Sequence, residues 1–76
     1  MDLEFKLLDV IALLKDLPGK NLRKGQVGTI VEMYDNKNFE VEFCNKKGET
    51  IALLRLNTKD VLLLVMNWRN LRNRSF

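Results

Sequence analysis

The chain has 76 residues, a net charge of +3, no histidine and one cysteine. A chain this short forms a single domain with a small core, and one cysteine excludes an internal disulfide. No apolar stretch approaches the roughly 20 residues that cross a membrane. Asp2 and Glu4 stand where a signal peptide would carry positive charge. We therefore expect a cytoplasmic, soluble protein with no membrane segment.

The excess of basic over acidic residues lies at the C-terminal end of the chain. Residues 1–65 hold equal numbers of acidic and basic side chains, so Arg69, Arg72 and Arg74 supply the whole excess. Clustered basic charge is typical of nucleic-acid-binding proteins. Here, however, the net positive charge arises from a short C-terminal tail and not from a basic surface of the whole domain. We predict a barrel domain over residues 1–65 and a basic tail with tryptophan and arginine over residues 66–76.

The first element, within residues 3–17, is ambiguous. Apolar residues recur there at helical spacing: Leu3, Leu7, Ile11 and Leu14. The continuous apolar run over residues 10–14 equally suits a buried strand. Pro18 and Gly19 end the element in either case.

Four later segments have the composition or the period of strands. They are Gln26–Tyr34, Asn38–Cys44, Glu49–Leu54 and Val61–Val65. Turns are predicted over residues 35–38 and 45–48, and residues 56–60 read as a tight turn or one helical turn. Gly28, inside the first of these strands, indicates a bulge, a bend or a close approach.

This layout predicts an all-β protein, a small five-stranded SH3-like barrel, because closing a sheet on itself gives a short chain one shared core. The alternative is an N-terminal helix packed on a four-stranded sheet. The predicted core is Val10, Leu14, Val27, Ile30, Val31, Phe39, Val41, Phe43, Ile51, Leu53, Val61 and Leu63.

A family resemblance rests on five strings that occur in order over roughly residues 5–65. They are Lys6–Val10, Leu17-Pro18, Leu22–Glu32, Phe39–Phe43 and Leu62–Leu64. In these strings the chain resembles a family of short bacterial proteins, common in cyanobacteria, that is catalogued as a domain of unknown function. The resemblance implies a barrel in the bacterial cytoplasm and a gene beside another small gene, as in toxin–antitoxin or immunity pairs. It implies no activity.

A looser likeness is to the short barrel motif of certain ribosomal proteins and transcription elongation factors. In that motif a basic loop precedes a glycine and a β-branched strand, as residues 22–31 do here. The likeness implies that Arg23 and Lys24 contact phosphate. The chain departs from it in the acidic residues that follow, which would repel phosphate.

No catalytic or metal-binding residues emerge from the sequence, and we expect no cofactor, no small-molecule substrate and no enzyme activity. A nucleophilic cysteine needs a base, usually histidine. The chain has no histidine that could serve Cys44, its single cysteine. Because the chain has no histidine and a single cysteine, we also expect no zinc site. Glu40 and Glu42 alternate along one strand face; they form either an acidic partner-binding surface or an ordinary solvated face.

The tail carries residue types that dominate protein interfaces. Leu64, Trp68 and Leu71 fall on one face of a helix, with Arg69 and Arg72 beside them. The segment could dock in a partner's groove, stack Trp68 on a nucleic-acid base, fold back on the barrel or remain disordered.

Two functions therefore stay open. The first is a non-enzymatic protein-binding module, the accessory or neutralising partner of a bacterial two-gene pair or a self-associating protein. Its predicted contact residues are Trp68, Arg69, Leu71, Arg72, Glu40 and Glu42. The alternative is a small RNA- or DNA-binding barrel that uses Arg23, Lys24, Arg69, Arg72 and Arg74.

Overall fold

The computed structural model describes residues 4–65, which form an all-β domain. Its strands are β1 (Val10–Leu13), β2 (Val27–Met33), β3 (Asn38–Cys44), β4 (Thr50–Asn57) and β5 (Val61–Val65). Two 3-10 helices of one turn each, Pro18–Lys20 and Thr58–Asp60, are the helical elements of these residues. The all-β prediction is confirmed, and the first element is a strand, so the alternative with an N-terminal helix is wrong. Within the same residues, no helix has the length and apolar character needed to cross a membrane.

The strands form one antiparallel sheet in the order β4-β3-β2-β1-β5. β2 is shared between two partners: residues 27–29 pair with β1, and residues 29–33 pair with β3. The predicted features are all present: five strands, two tight hairpins and a brief turn before the last strand. β4 and β5 are the two edges of the sheet, and the second 3-10 helix links them directly.

That link is held by a capping box. The Asn57 side chain accepts a hydrogen bond from the Lys59 N–H at 3.0 Å, and Asp60 Oδ2 accepts one from the Asn57 N–H at 2.9 Å. Reciprocal bonds of this kind satisfy amide groups that a helix start leaves unpaired. The turn predicted over residues 56–60 is shorter than expected, because β4 continues to Asn57 and buries Leu56.

A tight turn precedes β1 and fixes the N-terminal arm of residues 4–8. The Lys6 N–H donates to Asp9 Oδ2 at 2.9 Å, and the Leu8 N–H donates to the Ile30 carbonyl at 2.7 Å. Leu8 has a φ of 69°, a conformation that non-glycine residues rarely adopt. Asp9 is completely buried in this turn.

The core lies on one face of the sheet, here called the inner face. It consists of Ile11, Leu13, Leu22, Ile30, Phe39, Val41, Phe43, Leu56 and Val61. The prediction is confirmed for Ile30, Phe39, Val41, Phe43 and Val61. Leu63, also predicted, is partly buried and packs against this cluster.

The prediction is wrong for Leu14, Val27, Val31, Ile51 and Leu53, whose exposed fractions lie between 37% and 55%. On β4 the error is a shift of one residue, because Ala52, Leu54 and Leu56 face the core instead. A shift of one residue moves every side chain of a strand to the other face. Val10 on β1 is half-buried, while Ile11 and Leu13 beside it are fully enclosed.

Candidate functional site

Glu40 and Glu42 lie on the outer face of the sheet, away from the core. Their neighbours along β3, Phe39, Val41 and Phe43, are fully buried. Because successive side chains of a strand point to opposite faces, both carboxylates point outward, as the alternation predicted.

Glu40 is held in place by a hydrogen bond from a tyrosine. The Tyr34 hydroxyl donates to Glu40 Oε1 at 2.5 Å, and the Arg55 guanidinium lies 4.8 Å from the centre of the Tyr34 ring. The hydrogen bond to Glu40, assisted by desolvation and by the charge of Glu40, raises the pKa of Tyr34. Glu40 also faces Arg55 across the β3–β4 ladder and Glu32 across the β2–β3 ladder.

Glu42 is anchored to the same sheet by a neighbouring strand. The Thr50 hydroxyl donates to Glu42 Oε2 at 2.5 Å, and the cross-strand partners of Glu42 are Thr29 and Leu53. The outer face around β3 thus carries Glu32, Glu40 and Glu42 against one basic residue, Arg55. We call this region the acidic half of the outer face.

The other half of the outer face, on β5, β1 and β2, is apolar. Leu62, Ala12 and Val27 form one row across the three strands, because Ala12 pairs with both of the others. Leu62 and Val27 are 53% and 50% exposed and flank the small, nearly buried Ala12. We define the apolar strip as Val10, Ala12, Leu14, Val27, Leu62 and Leu64.

The strip follows from the sequences of the two strands that form most of it. Val10–Leu13 and Val61–Val65 contain no polar residue at all. Strands that are apolar at every position are typical of sheets covered on both faces. Within residues 4–65 only the inner face is covered, so the strip remains exposed to solvent.

The apolar strip and the acidic half are continuous. Val10 pairs with Thr29, and Thr29 pairs with Glu42, so one row of residues leads from the strip to the acids. Sequence reasoning missed the strip because it assigned Val10, Leu14 and Val27 to the core. The signal that could have revealed it is the absence of alternation in β1 and β5.

The basic residues proposed for nucleic acid do not form a described patch. Arg23 and Lys24 lie in the exposed loop before β2, where their N–H groups donate to Gln26 Oε1 at 3.2 Å and to Asp16 Oδ1 at 2.8 Å. This loop follows the C-terminal end of β1. β5 ends at the other end of the β1–β5 ladder, where Val65 pairs with Val10. The predicted tail residues lie outside the described residues: Trp68, Arg69, Leu71, Arg72 and Arg74.

Three further features of the described region add no candidate catalytic or metal site. Cys44, at the end of β3, is exposed. Among residues 4–65 no three histidine, cysteine, aspartate or glutamate side chains are grouped to hold a metal ion. An open groove of about 1070 Å³ lies between the N-terminal arm, the β2–β3 turn and the start of β5. Its charged rim includes Lys6 and Glu4, which pair with each other at 3.0 Å.

Comparison with known proteins places the chain in a family. The model of the family described as Domain of unknown function (DUF4926) matches residues 7–63. This range includes β1 to β4 and most of β5, and the chain belongs to this family. Neither the curated proteins nor the solved structures contain a significant match to the chain.

Proposed function

We propose that this member of the DUF4926 family is a non-enzymatic protein-binding module of the bacterial cytoplasm, built as an SH3-like barrel. In the proposal it is the accessory or neutralising partner in a two-gene pair, as an antitoxin or immunity protein is. The observation that carries the proposal is the apolar strip on the outer face. Membership of this family assigns no activity to the protein.

The strip has the properties of a protein-binding surface. Exposed apolar residues scattered singly are ordinary, whereas contiguous patches mark sites of interaction. Here Leu62, Ala12 and Val27 are contiguous across three strands, and Leu62 and Val27 remain about half exposed. Covering them would remove apolar area from water, which favours association by roughly 25 cal/mol per Å².

The acidic half defines the chemistry of the partner. Glu32, Glu40 and Glu42, opposed by Arg55, give this border of the strip a net negative charge. Complementary charge steers encounter and excludes wrong partners. The proposed partner is therefore a protein that presents apolar side chains bordered by basic ones. An acidic face of this kind repels nucleic-acid phosphate, so the structure adds no support for the alternative function.

Two matched variants test the proposal. Val27 and Ile51 are β-branched strand residues with exposures of 50% and 49%, but Val27 lies in the strip and Ile51 on the far edge strand β4. Each full-length variant, Val27→Ser or Ile51→Ser, is immobilised beside the unmodified chain and exposed to lysate of the source cells. The captured protein is quantified with and without nuclease treatment.

The proposal requires a protein that survives nuclease and is retained equally by the unmodified chain and Ile51→Ser, but lost with Val27→Ser. Equal retention by both variants would remove the strip from the interaction. Retention that nuclease abolishes would instead favour the nucleic-acid function and direct attention to Arg23 and Lys24. Capture of nothing by the unmodified chain would count against a binding module.

A further inference from the structure

β5 has one edge without a partner strand in the described part of the chain. It stands at the end of the sheet order, so it pairs with β1 on one side only. An unpaired edge is a template for another strand, and natural proteins usually protect such an edge with charged residues. The opposite edge strand, β4, includes Arg55, whereas β5 has no charged residue. β5 is therefore the less protected edge of the sheet.

The hydrogen bonds between β1 and β5 identify the backbone groups at this open edge. The Leu14 N–H donates to the Asp60 carbonyl at 2.9 Å. Opposite residues of an antiparallel pair alternate between bonding to each other and not bonding. Ala12 and Leu62 therefore bond to each other, whereas the N–H and C=O of Leu63 point away from β1. In the described part of the chain, no backbone group bonds to either of them.

The open groove described above lies along this edge. One of its walls is formed by residues 61–63, and the other is formed by the N-terminal arm and the β2–β3 turn. No residue of β1 lines the groove, so the groove is on the open side of β5. The apolar residues of the far wall are Phe5, Leu7 and Met33. An extended segment beside Leu63 would thus lie in a groove with apolar walls.

Both faces of an added strand would meet apolar surfaces. Opposite residues of two paired strands lie on the same face, and Leu63 packs against the core cluster. The residue opposite Leu63 would therefore point into the groove. The next residue would lie beside Leu62 on the outer face and continue the row of Val27, Ala12 and Leu62. The segment that suits this edge is therefore apolar on both faces, as β5 is itself.

The charges of the groove add one requirement. Glu4 and Lys6 pair with each other, and Asp35 accepts two backbone N–H groups at 2.8 Å. The ammonium group of Lys37 has no ion-pair partner among the described residues. The Thr58 N–H donates to the Lys37 carbonyl at 2.9 Å, which fixes Lys37 near the start of β5. A carboxylate at this end of an added strand would be complementary to it.

We propose that the partner of this module contributes a β-strand, which adds to the open edge of β5 inside the groove. The strand is apolar on both faces opposite Leu63 and carries an acidic residue beside Lys37. Strand addition obtains its affinity from backbone hydrogen bonds and its specificity from the pockets that hold alternate side chains. The inference rests on the proposed function, which supplies the partner, but its test needs no protein from the cell.

The first measurement determines whether the edge is open in the free protein. Amide hydrogen exchange of the full-length protein is followed by NMR at a low and a high concentration. The Leu62 N–H, which bonds to Ala12, should exchange at least about tenfold more slowly than the Leu63 N–H. Slow exchange of Leu63 at both concentrations would show that the chain itself occupies the edge. Slow exchange only at high concentration, together with a dimer, would make a second copy the occupant. Either result would overturn the proposal.

The second measurement supplies strands directly. Short random peptides displayed on phage are selected on the immobilised full-length protein, and those that bind are synthesised. We expect peptides with consecutive apolar residues and an acidic residue at one end, and their binding should slow exchange of the Leu63 N–H about tenfold. Methylation of single backbone nitrogens of the peptide should weaken binding severalfold at alternate residues, since only alternate N–H groups of a strand face its neighbour.

Matched variants of the full chain locate the bound peptide. Leu7 and Leu8 are adjacent and have exposures of 46% and 47%, but of the two only Leu7 lines the groove. Leu7→Ser should weaken peptide binding severalfold, whereas Leu8→Ser should leave it unchanged. Lys37→Glu should weaken it severalfold, whereas Lys47→Glu, in the β3–β4 turn, should not. Val27→Ser, which tests the apolar strip, should have no effect. Circular dichroism checks that each variant retains the sheet.

Each contrary result overturns the proposal in a different way. Selection of no peptide, or of peptides that bind without slowing exchange of Leu63, would show that the edge does not accept a strand. Equal effects of Leu7→Ser and Leu8→Ser would remove the groove from the interaction. Loss of peptide binding with Val27→Ser would transfer the peptide to the apolar strip. Failure of peptide binding leaves partner capture by the strip intact, and failed capture leaves the peptide result intact.

Discussion

Gly28 lies so close to Phe43 that a Cβ at position 28 would stand 2.8 Å from the Phe43 ring carbon Cε1. Val41 closes the same space, with its Cγ1 2.7 Å from that position. Both side chains are fully buried, so neither can move into solvent. The glycine is thus required by the packing of β3 against β2. Of the three features predicted at this position, a bulge, a bend or a close approach, the structure shows the close approach.

Replacing Gly28 by alanine should therefore destabilise the protein by about 1–3 kcal/mol, the usual cost of overpacking a core. The free energy of unfolding, measured by urea denaturation, checks this. Gly19→Ala is the control, because a Cβ there would meet no atom within 4 Å and φ is not positive. A Gly28→Ala protein as stable as Gly19→Ala would contradict the packing described here.

Leu22 and Leu14 test the corrected core. Leu22, the one apolar residue of the loop over residues 20–24, is 1% exposed, whereas Leu14 is 45% exposed, although it was predicted to be buried. Leu22→Ala should cost about 2–5 kcal/mol of stability, as buried leucines do, and Leu14→Ala far less. Thermal denaturation of the two variants compares them, and the reverse order of stability would restore the original core prediction.

The buried Asp9 should be essential to the turn before β1. Its side chain is fully buried and accepts the Lys6 N–H in a partly buried hydrogen bond, and loss of one partner from a buried hydrogen bond costs about 1–3 kcal/mol. Asp9→Ala should lose at least this much stability in urea denaturation. Asp16→Ala is the control, since Asp16 also accepts a backbone N–H, from Lys24, but in an exposed loop. Equal losses from both variants would deny Asp9 a special role.

Protonation of Asp60 should lower the free energy of unfolding of the protein at acid pH. Burial raises the pKa of Asp60, but the Lys15 ammonium, 2.9 Å from Oδ1, and the Asn57 N–H outweigh it, so the pKa lies below its ordinary value. The unfolded chain therefore takes up the proton first. The stabilisation is complete above the ordinary aspartate pKa of about 4 and is lost as the pH falls through the lower pKa of the folded state.

Urea denaturation at a series of pH values from about 6 to about 3 measures this effect. Lys15→Met should make this acid-dependent loss smaller, because it removes a cation that lowers the pKa of Asp60 in the folded protein and so narrows the gap to the pKa in the unfolded chain. Asp60→Asn should make the decline shallower, since the group no longer titrates. A decline of the same steepness in Asp60→Asn and the unmodified protein would assign the acid sensitivity to other groups.

Composition and period were sufficient to locate four of the five strands, but they left the first element open between helix and strand and did not assign the faces of all the strands. β3 alternates cleanly, so its buried residues, its outward carboxylates and its bounds Asn38–Cys44 are all as predicted. β1 and β5 are apolar at every position, so alternation gave no information on which residues face the core. Bulges add to this, since Val31 and Ile51 lie where the register shifts.

Of the candidate site, only the acidic half was predictable from the sequence, and the apolar strip was not. Glu40 and Glu42 were identified from alternation, but their hydrogen bonds to Tyr34 and Thr50 depend on register. The apolar strip was absent from the prediction because Val27 and Leu14 were assigned to the core. Hydrophobicity alone does not distinguish a residue buried in its own domain from one reserved for another surface.

The last strand in sequence, β5, pairs with the first, β1. This pairing has a consequence for folding kinetics. The β2–β3 and β3–β4 hairpins join strands that are adjacent in sequence, so they close short loops and form quickly. The β1–β5 ladder joins Leu13 to Val61, and closing so long a loop carries a larger entropic cost. We expect the central meander to form first and the two fully apolar strands to meet last, which makes their encounter the slow step of folding.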